Sequence, residues 1–305
     1  MTVITQALTR AALKPIEWIG HLSLRNARRA TGWLGGPLRL LMRRRAHVVR
    51  RNLELCYPEK TAIERRKIER AHFRNLAESV GEIAVAWHHT GRLDASFGDV
   101  KGLEHLEAAR AGGRGVLLLT GHFTCLELGA RLFGERVAAR AIYRPLRNPT
   151  LERLQTRGRA RYAAAMIPRH NLRAMVRHLR AGGVLWYAPD QDMGRDRSVF
   201  APFFSIPTAT ATGMLELARL GRAAVVPMIP HKHPETKRVT VVLEPALEAF
   251  PSGNDVADLA RFNEMLEQHV RAVPATYWWL HRRFKTAPVD EKDRYPEHRQ
   301  SPGAR

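Results

Sequence analysis

From residue 115 onward, short runs of apolar residues alternate with longer amphipathic segments along this 305-residue chain. Buried strands of a parallel sheet are continuously apolar, and the helices that pack on them are apolar every three or four residues. The apolar runs predict strands at Val116–Thr120, Ala139–Tyr143, Val184–Ala188, Ala223–Ile229 and Val239–Leu243. Between them we expect helices at Phe123–Phe133, Pro149–Ala164, Leu172–Ala181 and Ala209–Leu220. This alternation predicts an α/β fold with a mixed, largely parallel sheet flanked by helices.

Two further helices are predicted at Ala62–Trp87 and Val256–Ala272, each with apolar residues along one face. The tail 289–305 is polar and contains proline, so we expect it to be disordered. No linker rich in proline, glycine or serine separates two large domains.

The net charge of +21 indicates an anionic partner. Residues 1–52 carry eleven lysines and arginines against a single acid, Glu17. Trp18, Trp33 and several leucines lie among them, which favours a membrane interface over a nucleic-acid arm. A spanning helix needs roughly 20 mostly apolar residues, whereas the longest charge-free runs here are 1–9 and 30–38. We therefore predict that residues 1–45 form a basic amphipathic segment attached at the membrane surface.

The remaining composition gives the expected compartment. No apolar region leads to a small-residue cleavage site, so no signal peptide is predicted. The two cysteines, Cys56 and Cys125, give no disulfide framework. We expect the bulk of the protein to lie in the cytoplasm.

Candidate chemistry follows the first predicted strand, in the segment from Gly121 to Glu127. His122 stands where the strand ends and a helix starts, and α/β folds place their sites at the carboxyl ends of strands. We expect the Glu127 carboxylate to reach back to one ring nitrogen of His122, which would leave the other nitrogen to take a proton from a hydroxyl. The same spacing also arises by chance, and many histidines at strand ends are only hydrogen-bonded.

Two other chemistries are weaker for this segment. A helical zinc-binding His-Glu-x-x-His motif needs a second histidine one turn later, and position 126 is leucine. Cys125 has no basic neighbour in the helix apart from His122, so a buried, inert thiol is favoured over a nucleophile.

Polar residues also follow two later strands. Arg144 ends one strand, and Asp190, Gln191 and Asp192 end another. A parallel sheet would bring them to the same edge as His122. The alternatives are a surface ion pair for Arg144 and a turn with helix capping for the aspartates. Asp190 and Asp192 could also hold a divalent cation, but two carboxylates without a third ligand are weak support for a metal site.

Near the C-terminus, Tyr277, Trp278 and Trp279 precede a basic stretch that includes Arg282 and Arg283. Arginine guanidinium groups bind phosphate oxygens in pairs, so these two arginines are candidates for a phosphate or headgroup contact. The alternative is a core-anchoring segment with a solvated basic end.

Taken in order, five segments resemble the lipid A biosynthesis acyltransferase family, above all its branch that transfers lauroyl groups to Kdo2-lipid IV(A). They cover most of residues 43–288 and are more specific than the spacing of His122 and Glu127, which glycerolipid acyltransferases share. The segments are Arg51–Glu59, Gly121–Arg131, Tyr143–Pro145, Trp186–Asp192 and Trp279–Thr286.

The resemblance implies an acyltransferase domain at 46–288 that moves a fatty acyl group from acyl carrier protein to a hydroxyl of a lipid A precursor. It implies His122 and Glu127 as the catalytic dyad, with Arg144 and residues 190–192 lining the same cleft. The reaction calls for no metal and no redox cofactor. The expected location is the cytoplasmic face of the inner membrane, through peripheral or monotopic attachment. Members usually begin with a clear hydrophobic anchor, whereas charges interrupt that region here.

Two alternatives stay open from the sequence. One is an acyltransferase that acts on a glycerolipid or another glycolipid. The other is a non-catalytic basic protein that binds anionic lipid or nucleic acid, although no nucleic-acid motif is present and no nucleic-acid partner is expected. Acyl-chain length and the acylated position depend on a pocket that the sequence does not show.

Overall fold

A computed structural model describes residues 14–93 and 95–296 of the chain. Within this part the protein has a seven-stranded sheet and a separate two-stranded hairpin. The strands in chain order are β1 (Gly98–Lys101), β2 (Val116–Leu119), β3 (Arg140–Tyr143), β4 (Ala165–Pro168), β5 (Val184–Tyr187), β6 (Ser198–Phe203), β7 (Ile206–Ala211), β8 (Ala224–Lys232) and β9 (Val239–Leu243).

The large sheet has the strand order β1-β9-β8-β2-β5-β3-β4. Its neighbours pair in parallel except β8 and β9, which are antiparallel. The predicted mixed, largely parallel sheet is therefore confirmed. β2 lies near its centre, and all four of its residues, Val116–Leu119, are fully buried. A strand covered on both faces is expected to be apolar throughout.

Helices flank the sheet. They are α1 (Leu24–Gly32), α2 (Gly35–Leu41), α3 (Arg43–Cys56), α4 (Ala62–His88), α5 (Leu103–Arg110), α6 (Leu126–Gly134), α7 (Pro149–Arg159), α8 (Leu172–Arg180), α9 (Gly213–Gly221) and α10 (Asp255–Ala272), and residues 14–20 are also helical.

Local chemistry explains where the longest helices begin. Thr61 and Glu64 form a capping box at the start of α4, in which each side chain bonds the other's backbone N–H. Asn148 caps α7 just before Pro149, and Asn254 caps α10.

The β6–β7 hairpin was not predicted from the sequence. Its turn residues, Phe204 and Ser205, have φ of 52° and 58°. Tight hairpin turns with two positive φ values normally carry glycine, asparagine or aspartate. Because those residues are absent here, the turn was not recognised. The helix expected at Ala209–Leu220 begins only at Gly213, since residues up to Ala211 pair with β6.

The basic N-terminal segment is joined closely to the rest of the protein, although residues 1–13 lie outside the described part. Leu24 and Ala27 of α1 are buried in the main core. Gly81 lets α1 approach α4, because a Cβ there would lie 2.5 Å from the carbonyl oxygen of Ala27. Over residues 14–93 and 95–296, no helix has both the length and the apolar character needed to cross a membrane.

The start of the predicted tail is ordered, which differs from the expectation of disorder. Tyr295 is buried, and its hydroxyl lies 2.5 Å from Oδ1 of the buried Asn52. Arg294 donates to the carbonyl of Pro207 at 2.9 Å. A buried asparagine needs hydrogen-bond partners, and the tail supplies one. Residues 297–305 of the predicted tail lie outside the described part of the chain.

A buried ion cluster connects the helical layer to the sheet. Lys232, at the end of β8, lies 2.6 Å from Glu78 and 2.7 Å from Glu82, both on α4. Arg28 of α1 lies 2.7 Å from Glu82. Burial alone would raise the pKa of Glu82, but Lys232 and Arg28 hold it below its usual value. The Glu82 carboxylate is therefore charged and depends on these cations.

Replacing Lys232 by Met should destabilise the protein by about 3–5 kcal/mol, because two buried carboxylates lose their shared cation. The free energy of unfolding in urea measures this loss. The control is Lys101→Met at an exposed position, where we expect a change within about 0.5 kcal/mol. Equal stability of both variants would show that the cluster does not hold α4 on the sheet.

Candidate active site

His122 lies three residues beyond the end of β2, and the backbone holds it from both sides. Its N–H donates to Oδ2 of Asp190 at 2.8 Å, and its carbonyl accepts the N–H of Trp278 at 2.9 Å. Gly121 makes the first contact possible, because a Cβ there would lie 2.5 Å from Leu266 and 3.3 Å from the Asp190 carboxylate. The side chain of His122 remains 31% exposed and faces a cleft.

The carboxylate that pairs with the His122 ring is that of Asp190. Nδ1 of His122 lies 2.5 Å from Oδ1 of Asp190, which is almost fully buried. The strand register produces this contact. Leu119 of β2 lies beside Tyr187 of β5. The chain then runs three residues past the end of each strand to reach His122 and Asp190.

The pair shifts the ionisation of both groups. Burial lowers the pKa of His122, but the adjacent Asp190 outweighs it and raises the pKa above its usual value. Burial favours the neutral form of Asp190, yet its bonds to His122 bring the pKa to about 2. Asp190 is therefore an anion throughout the neutral range and makes His122 a stronger base.

Glu127 does not make the predicted contact with His122. Its carboxylate accepts two hydrogen bonds from Arg159, at 2.7 and 2.9 Å, and one from the indole of Trp87 at 2.9 Å. The hydroxyl of Tyr162 also donates to it. The first turn of α6 directs Glu127 toward the ends of α4 and α7, while Asp190 occupies the ring nitrogen that Glu127 was expected to bind.

The Glu127 cluster keeps a cation beside His122. Burial lowers the pKa of Arg159, but Glu127 more than offsets this and raises the pKa above its usual value. Burial would raise the pKa of Glu127, and Arg159, Tyr162 and Trp87 lower it below the usual value. Both groups are thus charged, and the positive charge of Arg159 acts on the His122 ring.

His122 and the Glu127–Arg159 pair line one cleft of about 260 Å³ between α6, β3 and α7. His122, Glu127 and Arg159 lie on its polar side, together with Tyr143 and Arg144. Thr120, Arg140, Gln155 and Tyr162 also line the cleft, and its apolar part includes Leu126, Ala130, Phe133, Ala141, Ile142 and Met166. The cleft therefore joins a basic imidazole and a guanidinium group to an apolar chamber.

The other predicted site residues divide into two groups. Arg144 is exposed on the cleft wall, and the amide nitrogen of Gln191 lies 3.4 Å from Nε2 of His122. Asp192 turns away and accepts bonds from Thr286 and Gly194, so it orders the loop that carries Asp190. This corresponds to the turn that was the alternative for Asp192.

The two arginines near the C-terminus do not line the cleft. Arg283 is 2% exposed and donates to the carbonyl of Ala209 and the hydroxyl of Thr210. The guanidinium group of Arg283 is thus used inside the protein, which fits the alternative of a core-anchoring segment better than the predicted phosphate contact. Arg282 is half-buried.

The thiol chemistry that the sequence disfavoured has little support in the structure. Cys125 is buried, and this burial raises the pKa of its thiol to about 12, so it stays protonated near neutral pH. In residues 14–93 and 95–296, no group of three or more His, Cys, Asp or Glu side chains is placed to hold a metal ion.

Known proteins with related sequences identify the family. Residues 2–286 match the family described as bacterial lipid A biosynthesis acyltransferase. The chain belongs to this family. It is 40% identical over 255 residues to the lipid A biosynthesis lauroyltransferase of Escherichia coli (strain K12), which is 83% of each chain.

Two further relatives agree. The lipid A biosynthesis palmitoleoyltransferase of E. coli (strain K12) is 39% identical over 263 residues, 86% of each chain. A lipid A biosynthesis acyltransferase of Haemophilus influenzae (strain ATCC 51907 / DSM 11121 / KW20 / Rd) is 37% identical over 271 residues, covering 88% of this chain and 86% of the relative. The protein is therefore a lipid A biosynthesis acyltransferase.

Sequence reasoning missed three residues of this lipid A acyltransferase that surround Glu127. They are Trp87 at the end of α4, Arg159 in the last turn of α7, and Tyr162 in the following loop. Arg159 is one of many arginines in a strongly basic chain, and no local pattern distinguishes it. The indication that the sequence offered was Glu127, a carboxylate in a helix next to the sheet, where a cation would be needed. None of the three residues is close to it in sequence.

The geometry predicts which carboxylate controls the base of this acyltransferase. Asp190→Asn should lower the pKa of His122, because burial and Arg159 would then act unopposed. Glu127→Gln should change it less, since Glu127 does not touch the ring. NMR titration of labelled histidines measures both shifts, and a His122→Gln spectrum assigns the resonance. A larger shift in Glu127→Gln would contradict the observed pairing.

Proposed function

We propose that this acyltransferase moves a fatty acyl group from the thioester of acyl carrier protein to a hydroxyl of a lipid A precursor resembling Kdo2-lipid IV(A), in lipopolysaccharide biosynthesis. The observation that carries this proposal is the His122–Asp190 pair at the polar end of a cleft with apolar walls. Membership of the family supports a lipid A precursor as the acceptor.

His122 is the general base in this proposal. Asp190 holds the Nδ1–H, so Nε2 takes the proton of the acceptor hydroxyl as its oxygen attacks the thioester carbonyl. General-base assistance of this kind contributes about 10²–10⁴-fold in rate. The bond between carbon and sulfur then breaks, and the imidazolium returns the proton to the departing thiolate. No acyl-enzyme forms, because the two substrates held together react directly.

Arg159 is the candidate for stabilising the negative charge on the attacked carbonyl oxygen. Glu127 binds its Nε and Nη2, so Nη1 takes no part in this pair of bonds. A guanidinium group fixed in this way is ready to donate to a developing oxyanion. In this proposal Glu127 belongs to the catalytic machinery by positioning Arg159. Arg144, which lines the same cleft, is placed to bind an anionic part of a substrate.

The apolar end of the cleft is proposed to hold the transferred acyl chain. A saturated chain needs a dry, apolar channel that starts at the reacting carbon, and Leu126, Ala130 and Ile142 border such a chamber beside His122. The two E. coli relatives are a lauroyltransferase and a palmitoleoyltransferase at nearly equal identity. Chain length therefore depends on side chains of the chamber rather than on overall similarity.

The proposed location is the cytoplasmic face of the inner membrane. Trp33, Leu40 and Leu41 are 70%, 60% and 83% exposed, and they lie among arginines of the first helices. Apolar side chains ringed by cations are typical of interfacial attachment to an anionic surface. The net charge of +21 also complements an acidic carrier protein and the phosphates of the acceptor.

His122→Ala should lower transfer from acyl carrier protein to the lipid A precursor by at least about 10²-fold, without loss of folding. Thioester consumption and mass spectrometry of the lipid product measure it. The control is His170→Ala, an exposed histidine outside the cleft, which should keep the wild-type rate. Normal turnover in His122→Ala would rule out the proposed base. Faster transfer to a lysophospholipid than to the lipid A precursor would favour a glycerolipid acceptor instead.

A larger side chain in the apolar chamber should shift the preference of the enzyme toward donors with shorter acyl chains. Ala130→Leu fills space at the wall, and each methylene excluded from an apolar site is worth about 0.8 kcal/mol. We expect the rate with the longest accepted acyl chain to fall about tenfold or more, while short donors react normally. Competition between acyl donors of different length gives the ratio. Ala138→Leu, an exposed neighbour, should leave it unchanged; an unchanged ratio in Ala130→Leu would place the chain elsewhere.

A further inference from the structure

A second pocket, of about 550 Å³, lies between α1, α2 and α4 and is separate from the cleft. Five arginines line it, together with two aromatic side chains and three glycines. We call it the arginine pocket, after Arg28, Arg29, Arg39, Arg70 and Arg74. Thirteen residues of α4 separate Arg74 from Trp87 at the catalytic cleft, which corresponds to about 20 Å along the helix.

The charges around the arginine pocket do not cancel. Among the described contacts, Arg28, Arg39 and Arg74 each pair with a glutamate of α4. Two of those glutamates also neutralise the buried Lys232. Arg29 and Arg70 are exposed and have no carboxylate partner in the described part of the chain. No acidic residue lines the pocket, so it is a concave surface of strong positive potential.

One buried donor in the arginine pocket also lacks an acceptor. The side chain of Arg28 is 10% exposed, and its Nε is bound to Glu82 at 2.7 Å. Its Nη2 is buried and has no hydrogen-bond partner within the described residues. Buried polar atoms are nearly always paired, so this nitrogen has hydrogen-bonding capacity that Glu82, whose Oε2 is itself unpaired, leaves unused.

The space for an acceptor comes from glycine. A Cβ at Gly36 would have no atom within 4 Å, whereas one at Gly35 would lie 2.8 Å from the backbone of Arg74. Gly35 thus brings α2 close to α4, and Gly36 leaves the pocket open. Trp33 also lines the pocket, and Trp33 and Leu41 are among the most exposed large apolar residues of the described chain.

We propose that the arginine pocket binds the phosphate group of an anionic lipid in the membrane to which the N-terminal helices attach. Arginine forks match phosphate oxygens in pairs, and the exposed apolar residues beside the pocket favour a phosphate carried by a lipid over a free one. The inference rests on the proposed membrane attachment, not on acyl transfer, and its test needs no turnover. Loss of lipid binding and loss of catalysis are therefore separate results.

The test measures binding of the full-length protein to phosphatidylcholine vesicles with and without phosphatidylglycerol. The double variant Arg29→Lys/Arg70→Lys keeps the charge but loses the paired hydrogen bonds, and Gly36→Gln fills the open space without adding charge. We expect each to bind phosphatidylglycerol vesicles about tenfold more weakly, with unchanged binding to phosphatidylcholine. The matched control, Arg110→Lys/Arg114→Lys at exposed positions outside the pocket, should stay within about twofold of wild type.

Diffuse attraction to an anionic surface depends on charge alone. Wild-type binding by both the lysine variant and Gly36→Gln would therefore overturn the proposal. Titration with inorganic phosphate at constant ionic strength distinguishes the source of the ligand. If Gly36→Gln abolishes phosphate binding and leaves vesicle binding intact, the pocket takes a soluble anion and the lipid assignment is wrong. Glutamine is a better helix former than glycine, and circular dichroism checks the fold of each variant.

Discussion

The parallel pairing of β2 with β5 is the constraint on which the active site depends. Leu119 lies beside Tyr187, and each strand continues for three residues, so His122 and Asp190 meet at 2.5 Å. A shift of one residue in this register would turn every side chain of a strand to the opposite face. The close packing of β2 on both faces opposes such a shift, because its four buried apolar residues would have to repack against new neighbours.

Buried ion pairs fix the groups that surround this centre. Glu127 holds Arg159 beside His122, and Glu78 and Glu82 of α4 hold Lys232 at the end of β8. Pairs of this kind add little net stability compared with apolar packing, but removing one partner leaves a buried charge and is costly. They therefore define geometry more than they add free energy. In the catalytic cleft this geometry keeps a base and a cation beside the same apolar chamber.

The surplus of positive charge is arranged in two functionally different ways. Inside the protein, arginines such as Arg131 and Arg283 donate to backbone carbonyls and order the loops near the sheet. On the N-terminal helices, arginines remain exposed beside Trp33, Leu40 and Leu41. In the first arrangement the guanidinium group of Arg283 is bound within the core. The second joins charge and apolar surface on one face, which is the combination that an anionic membrane surface attracts.

The sequence alone determined the fold class, the five central strands and the position of His122 at a strand end, because periodicity and a buried apolar run are local properties. The same information was insufficient for the short strands β1 and β4, for a hairpin whose turn lacks glycine, and for the buried Tyr295. It also placed Asp190 and Glu127 near His122, but it predicted Glu127 instead of Asp190 as the carboxylate that binds the ring. That choice depends on strand order: β5 lies next to β2 in the sheet although 64 residues separate them in the chain. Only the tertiary structure brings Asp190 to His122 and turns Glu127 toward Arg159, since a hydrogen bond requires both partners in position.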